Sequence, residues 1–185
     1  MNLVDRAKNI LLQPRSEWHA IDAEPHTVQD LYTSYVMVLA AIPAVFGFLG
    51  GISMGMPLES GVAQLALHYL LALGTVYLFA IIINELAPSF GSRKDFMQAL
   101  KVAAFAPTAA WLGGVFNVHP ALAILGLAAS LYSLYLLYLG LPVLMKTPED
   151  KTVPYGAVVI IAMIVIVVIV GTIVALVAPN ALRGF

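Results

Sequence analysis

VAAFAPTAAWLGGVFNVHPALAILGLAASLYSLYLLYLGLPVLM, residues 102–145, runs for 44 residues without one Lys, Arg, Asp or Glu. A helix crossing a hydrocarbon core about 30 Å thick needs roughly 20 apolar residues, so this run is long enough for two crossings. Its middle reads Asn117-Val118-His119-Pro120. Proline has no N–H to donate and disfavours a helical residue before it, so a tight hairpin is expected there. The fold turns on this split, because it makes the number of crossings odd.

Further charge-free runs cover residues 31–58, 60–84 and 152–182. Together they predict an all-α fold, a polytopic membrane bundle of five transmembrane helices at about 31–51, 62–86, 97–116, 120–144 and 155–178, forming one domain over 31–180. With five crossings, Arg6, Lys8, Arg15, Arg93, Lys94, Lys101, Lys146 and Lys151 fall on one side, and Arg183 alone on the other. Lys and Arg are retained on the cytoplasmic side during insertion. The expected topology therefore has a cytoplasmic N-terminus and a periplasmic C-terminus.

Composition agrees. Of 185 residues, 61% are hydrophobic and 10% charged, with a mean hydropathy of +0.93. Soluble domains carry about 25% charged residues, so the lipid bilayer is the expected surrounding. The net charge is -1 and no basic patch stands out, so nucleic acid is not an expected partner. There is no Cys, which removes disulfides, thiolate metal sites and Cys nucleophiles. The first 30 residues lack the basic-then-apolar start of a cleavable signal, so the first span is expected to do the targeting.

Residues 1–30 read as a cytoplasmic segment. Leu3, Val4, Ala7, Ile10 and Leu11 recur at helical spacing behind Asn2, a good N-cap, and predict a short amphipathic helix over 2–13 that Pro14 ends. Such a helix either lies on the cytoplasmic leaflet or docks on the protein's own loops. Trp18 is expected at headgroup depth. Residues 19–30, with His19, Asp22, Glu24, His26 and Asp30, read as a loop.

Few residues offer chemistry. Gly47, Gly51 and Gly55 are spaced four apart, which lets two helix backbones approach closely; the partner is another span or another copy, and a homo-oligomer is expected. Glu85 closes the second span beside Asn84. A carboxylate in hydrocarbon is a functional candidate by default; at the interface, Arg93 or Lys94 would pair with it. Gln64, His68 and Thr75 share a face of the second span, as a proton or ion path or as interhelical hydrogen bonds. Tyr135 and Tyr138 suit an aromatic belt. The chain has no Gly-x-Ser-x-Gly, His-Glu-x-x-His, P-loop or Gly-x-Gly-x-x-Gly, and its four His have no metal-ligand spacing. No enzymatic activity, cofactor or metal is expected.

Three stretches carry a resemblance: Leu86-Ala87-Pro88-Ser89-Phe90-Gly91, Phe105-Ala106-Pro107, and Leu131-Tyr132-Ser133-Leu134-Tyr135-Leu136-Leu137-Tyr138-Leu139-Gly140-Leu141-Pro142-Val143-Leu144-Met145 with Pro148 and Lys151. With the five-span plan, they resemble bacterial members of the Yip1 family of small integral membrane proteins. Asp30-Leu31-Tyr32 is similar to the start of the Asp-Leu-Tyr-Gly-Pro motif of the eukaryotic branch, with Thr33 and Ser34 in place of Gly-Pro. The resemblance implies a bacterial inner-membrane protein. In the eukaryotic branch it implies association with small Rab-type GTPases and with other copies.

The resulting expectation is a non-enzymatic membrane scaffold or partner-binding protein, with a membrane or cytoplasmic partner, that self-associates. The alternative is a small transporter or channel for an ion, proton or small solute, using the polar residues of the second helix. A third reading is lipid handling, with the N-terminal helix sampling the leaflet.

Overall fold

The computed structural model describes residues 2–177, and among them every regular element is helical. In chain order these are α1 (Leu3–Leu12), α2 (Pro14–Ala23), α3 (Val28–Ser53), α4 (Leu58–Phe90), α5 (Phe96–Val118), α6 (Pro120–Leu144) and α7 (Glu149–Val177). Helices α3 to α6 are each long and apolar enough to cross a membrane. The split at Asn117–Pro120 is where α5 gives way to α6, and the His119 Nδ1 accepts the Ala121 N–H at 3.2 Å in that turn. The expected fifth span, 155–178, falls on α7; residue 178, the end of the expected domain at 180 and Arg183 lie outside the described residues.

Local chemistry sets the ends of these helices. The Asn2 side-chain Oδ1 accepts the Asp5 N–H at 2.8 Å and caps α1. Thr27 and Asp30 form a capping box at the start of α3: the Asp30 N–H donates to Thr27 Oγ1 and the Thr27 N–H to the Asp30 carboxylate. Gly91, at φ +67, reverses the chain after α4, and the Arg93 N–H then donates to the Met145 carbonyl at 2.7 Å. That bond ties the α4–α5 turn to the α6–α7 turn, so both lie at one end of the bundle.

Helix α5 is the central element. Its apolar window is 72% buried, against 28%, 17% and 11% for α3, α4 and α6, whose outer faces carry exposed side chains such as Leu49, Leu70 and Ile124. Helix α5 breaks at Ala106–Pro107, because Pro107 has no N–H and crowds the preceding turn. The freed groups find side chains: Thr108 Oγ1 donates to the Phe105 carbonyl at 2.6 Å, and the Ala110 N–H donates to Ser133 Oγ at 2.9 Å. The break carries a Tyr35–Thr108 hydroxyl pair, 2.7 Å apart.

The first 30 residues differ from their sequence reading. Pro14 ends α1 but also opens α2, since its fixed φ suits the first turn, where an N–H is not needed. The loop expected over 19–30 is helical as far as Ala23 and again from Val28. Trp18, expected at headgroup depth, is fully buried within the protein, edge-on to Phe105 at 6.5 Å.

Helices α1 and α2 form a hairpin that descends between the spans. The end of α1 meets α6 where the Tyr132 hydroxyl donates to the Leu11 carbonyl at 2.6 Å. Higher up, Trp18 of α2 packs on Gly140 of α6, and Asp22 pairs with Lys146 just past the end of α6, at 2.6 Å. The three contacts climb α6 in order. Tyr132 stands 12 residues before Leu144, about 18 Å at 1.5 Å per residue. The tip of the hairpin therefore reaches the middle of a membrane-crossing helix. It docks on the spans themselves rather than on loops.

Candidate functional site

The site with the most chemistry is the junction between this hairpin and the start of α5. Arg6 is buried on α1. Its Nη1 donates to Glu17 Oε1 on α2 at 2.6 Å, and its Nη2 to the Glu24 carboxylate just past α2. The spacing of Arg6, Ala7 and Ile10 turns one face of α1 inward, and Glu17, Trp18 and Ile21 do the same on α2. An isolated buried charge is costly, whereas a paired and hydrogen-bonded one is tolerated. The Arg6 pairs therefore fix the register of the two helices.

Lys101 completes the junction. Its ammonium is buried and donates to the Ile21 carbonyl at 2.9 Å and to the Glu24 carbonyl at 2.7 Å, with the Asp22 carbonyl at 3.5 Å. The last carbonyls of a helix lack partners within it and carry the negative end of its dipole. Lys101 thus caps α2 from another helix. Phe105, one turn further along α5, packs against Tyr35, with ring centroids 4.5 Å apart, and lies under the Arg6 guanidinium at 5.8 Å.

Arg6, Glu24 and His26 open onto a cavity of about 80 Å³. His26 Nε2 lies 3.3 Å from Glu24 Oε2 but is not aligned for a hydrogen bond. The hydrogen bond from Arg6 holds the Glu24 carboxyl below its ordinary range. Burial, and then the charge of Lys101, push the His26 imidazole down. The junction is a cross-braced dock that binds its own N-terminus, with two groups whose charge depends on pH. Among the described residues no three His, Asp or Glu side chains cluster as metal ligands.

The residues singled out from sequence are dispersed. Glu85 is exposed and pairs with Lys94 at 2.6 Å across the α4–α5 turn, while the Asn84 amide donates to its other oxygen at 3.1 Å. Asn84 is buried, and its own carbonyl oxygen has no partner among the described residues. Gln64 and His68 lie on the exposed surface of α4. Thr75, on the face assigned to them, lines an apolar cavity of about 400 Å³ beside Pro107. These side chains do not converge on a polar path. Tyr135 and Tyr138 are exposed on α6.

The three glycines of the first span differ from one another. A β-carbon on Gly47 would meet nothing within 4 Å, one on Gly51 would strike the Met56 side chain of the following turn, and Gly55 sits in that turn at φ +90. The close approaches inside the chain use other glycines. Gly50 faces the Asn117 carbonyl at 2.5 Å from where its β-carbon would be, and Gly114 faces Pro43 at 2.6 Å.

Sequence reading passed over Arg6, Glu17, Trp18, Glu24, Lys101 and Phe105 as site residues. One signal was available: Pro14, Glu17, Trp18 and Ile21 follow helical spacing from a proline suited to a first turn.

The family model of the Yip1 domain matches residues 8–170 of the chain. The chain is also similar to the Inner membrane protein YohC of Escherichia coli, in two strains with the same figures: 26% identity over 157 residues, covering 78% of this chain and 80% of that protein. No solved structure matches.

Proposed function

Because this chain belongs to the Yip1 family, we propose that it is a non-enzymatic, multi-pass inner-membrane protein that scaffolds or binds a partner, in the membrane or the cytoplasm, and self-associates. The inner-membrane location rests on the similarity to YohC and on the four apolar crossing helices. Helix α7 makes the fifth crossing, with the N-terminus cytoplasmic and the C-terminus periplasmic. Two connections support that topology. The Arg93–Met145 backbone bond and the Asp22–Lys146 pair gather the open end of the hairpin and both cation-bearing turns at one end of the bundle, and cations collect on the cytoplasmic side.

The observation that carries self-association is the open space at Gly47. This glycine stands on a crossing helix between the exposed side chains of Val45 and Leu49, and a β-carbon on it would meet nothing within 4 Å among the described residues. Helices in lipid associate by close packing at small residues, so a bare glycine on an outer face suits a second copy. Native mass spectrometry and crosslinking in mild detergent test the reading. The wild type is expected to give an oligomer that Gly47→Leu weakens. A strictly monomeric wild type overturns self-association.

A further inference from the structure

A groove of about 400 Å³ runs along the outer side of α1, walled almost wholly by carbon. Leu3, Ala7 and Leu11 of α1 face Leu39 of α3 and Leu112 of α5 across it, and Lys8 stands on its rim. Its two ends lie at different heights. Leu3 and Arg6 share a cavity with Leu31 and Ser34 near the start of α3, whereas Leu11 meets Tyr132 halfway along α6. The groove therefore runs from the cytoplasmic end of the bundle to the depth where hydrocarbon is the solvent. Val4 and Leu12 flank Lys8 at helical spacing and are 71% and 69% exposed, an arrangement that water disfavours and lipid tolerates.

The charges select among lipids. Lys8 is exposed and forms no ion pair among the described residues, and the same holds for Arg15 just past the hairpin tip. Asp5, the acidic residue on this edge of α1, stands one turn nearer the cytoplasmic end. A lysine set below the headgroups extends its apolar stem and lifts its ammonium toward them. We infer that this groove seats one acyl chain of an anionic phospholipid of the cytoplasmic leaflet, with Lys8 contacting the headgroup phosphate. The inference rests on the proposed cytoplasmic N-terminus but not on self-association, because Gly47 does not line the groove.

Native mass spectrometry of the whole chain in mild detergent tests this, with dioleoylphosphatidylglycerol and dioleoylphosphatidylcholine as probes. The wild type should retain the anionic lipid about fivefold better, the factor one cation near an anionic surface supplies. Lys8→Gln should abolish the preference, Lys8→Arg should keep it, and Lys151→Gln, a cation outside the groove, should leave it unchanged. Leu112→Trp, which fills the groove, should lower retention of both lipids. Equal retention of the two lipids by the wild type overturns the assignment, as does an equal loss in Lys151→Gln. Efficient dimer formation through a Leu12→Cys disulfide, unaffected by added lipid, also overturns it, because a second copy would then fill the groove.

Discussion

The indole of Trp18 lies over Gly140 so closely that a β-carbon on that glycine would come within 2.8 Å of Cζ2 and 3.0 Å of Cε2. Trp18 is fully buried, so its ring cannot move aside without opening the junction of α2 with α5 and α6. Overpacking of this kind costs about 1–3 kcal/mol. Gly140→Ala is expected to lower the thermal midpoint and to shift Trp18 emission to longer wavelength in a Trp111→Phe background. Trp18→Phe, with a smaller ring, should recover part of the loss when combined with Gly140→Ala. Additive effects in the double variant would mean that the two residues do not clash.

Lys101 tests whether the hairpin is held from outside. Lys101→Met keeps the length of the side chain but leaves the Ile21 and Glu24 carbonyls without their donor. An orphaned buried acceptor costs about 1–3 kcal/mol. Because those carbonyls belong to the end of α2, the loss should appear as undocking of the hairpin before the bundle melts. Limited trypsin digestion reads this directly: cleavage after Arg15 should speed up in Lys101→Met, while cleavage after Lys151 should not. Unchanged protection at Arg15 would place the hold elsewhere, on the Arg6 pairs.

Burial of His26 and the Arg6 hydrogen bond to Glu24 make docking dependent on pH, and the sign follows from the two shifts. His26 is pushed below its ordinary value of 6.5, so the docked form holds its proton less tightly than the undocked one. Stability is then lost as pH falls below about 6.5 toward the lowered value. Glu24 is held below 4.5, so its contribution is full above that value and is lost as pH falls through the depressed one. Docking should therefore weaken on acidification in two steps. Trp18 emission against pH, again without Trp111, should show both. His26→Asn should remove the upper step alone, and Glu24→Gln the lower step alone. A curve flat from pH 7 to 4 would mean that the junction does not couple to protons.

The crossing helices were legible because a membrane imposes its requirement one residue at a time. The charge-bounded reading of 97–116 and 120–144 meets α5 and α6 at Phe96–Val118 and Pro120–Leu144, and the turn falls on the predicted Asn117–Pro120. The N-terminal hairpin was not legible for the same reason. Arg6, Glu17 and Glu24 mark a segment as aqueous when each is counted alone, and only their mutual pairing lets them lie between helices. Lys101, counted with the cations that flank a span, is buried and spends its charge on the end of α2. The packing glycines failed differently. A four-residue spacing identifies a face but not what stands opposite, so Gly47 remained a candidate while Gly140, which has no such partner, did not stand out as a packing position.

Glu85 shows how a salient residue can be energetically quiet. Its carboxylate meets Lys94 at 2.6 Å, but both side chains are more than half exposed, at 58% and 51%. Exposed pairs exchange solvent hydration for a weak, salt-screened attraction and contribute little. Glu85→Gln is expected to leave the thermal midpoint within the repeat error of the measurement, and the double exchange Glu85→Lys with Lys94→Glu should do the same. The partner that loses most is Asn84, whose amide donates to the other oxygen of the carboxylate; a Gln side chain still offers it an acceptor. A fall in midpoint as large as that of Lys101→Met would mean that the carboxylate is desolvated in the membrane-embedded protein and that the α4–α5 turn sits deeper than its exposure indicates. High salt separates the two cases, because screening weakens an exposed pair and leaves a desolvated one nearly unchanged.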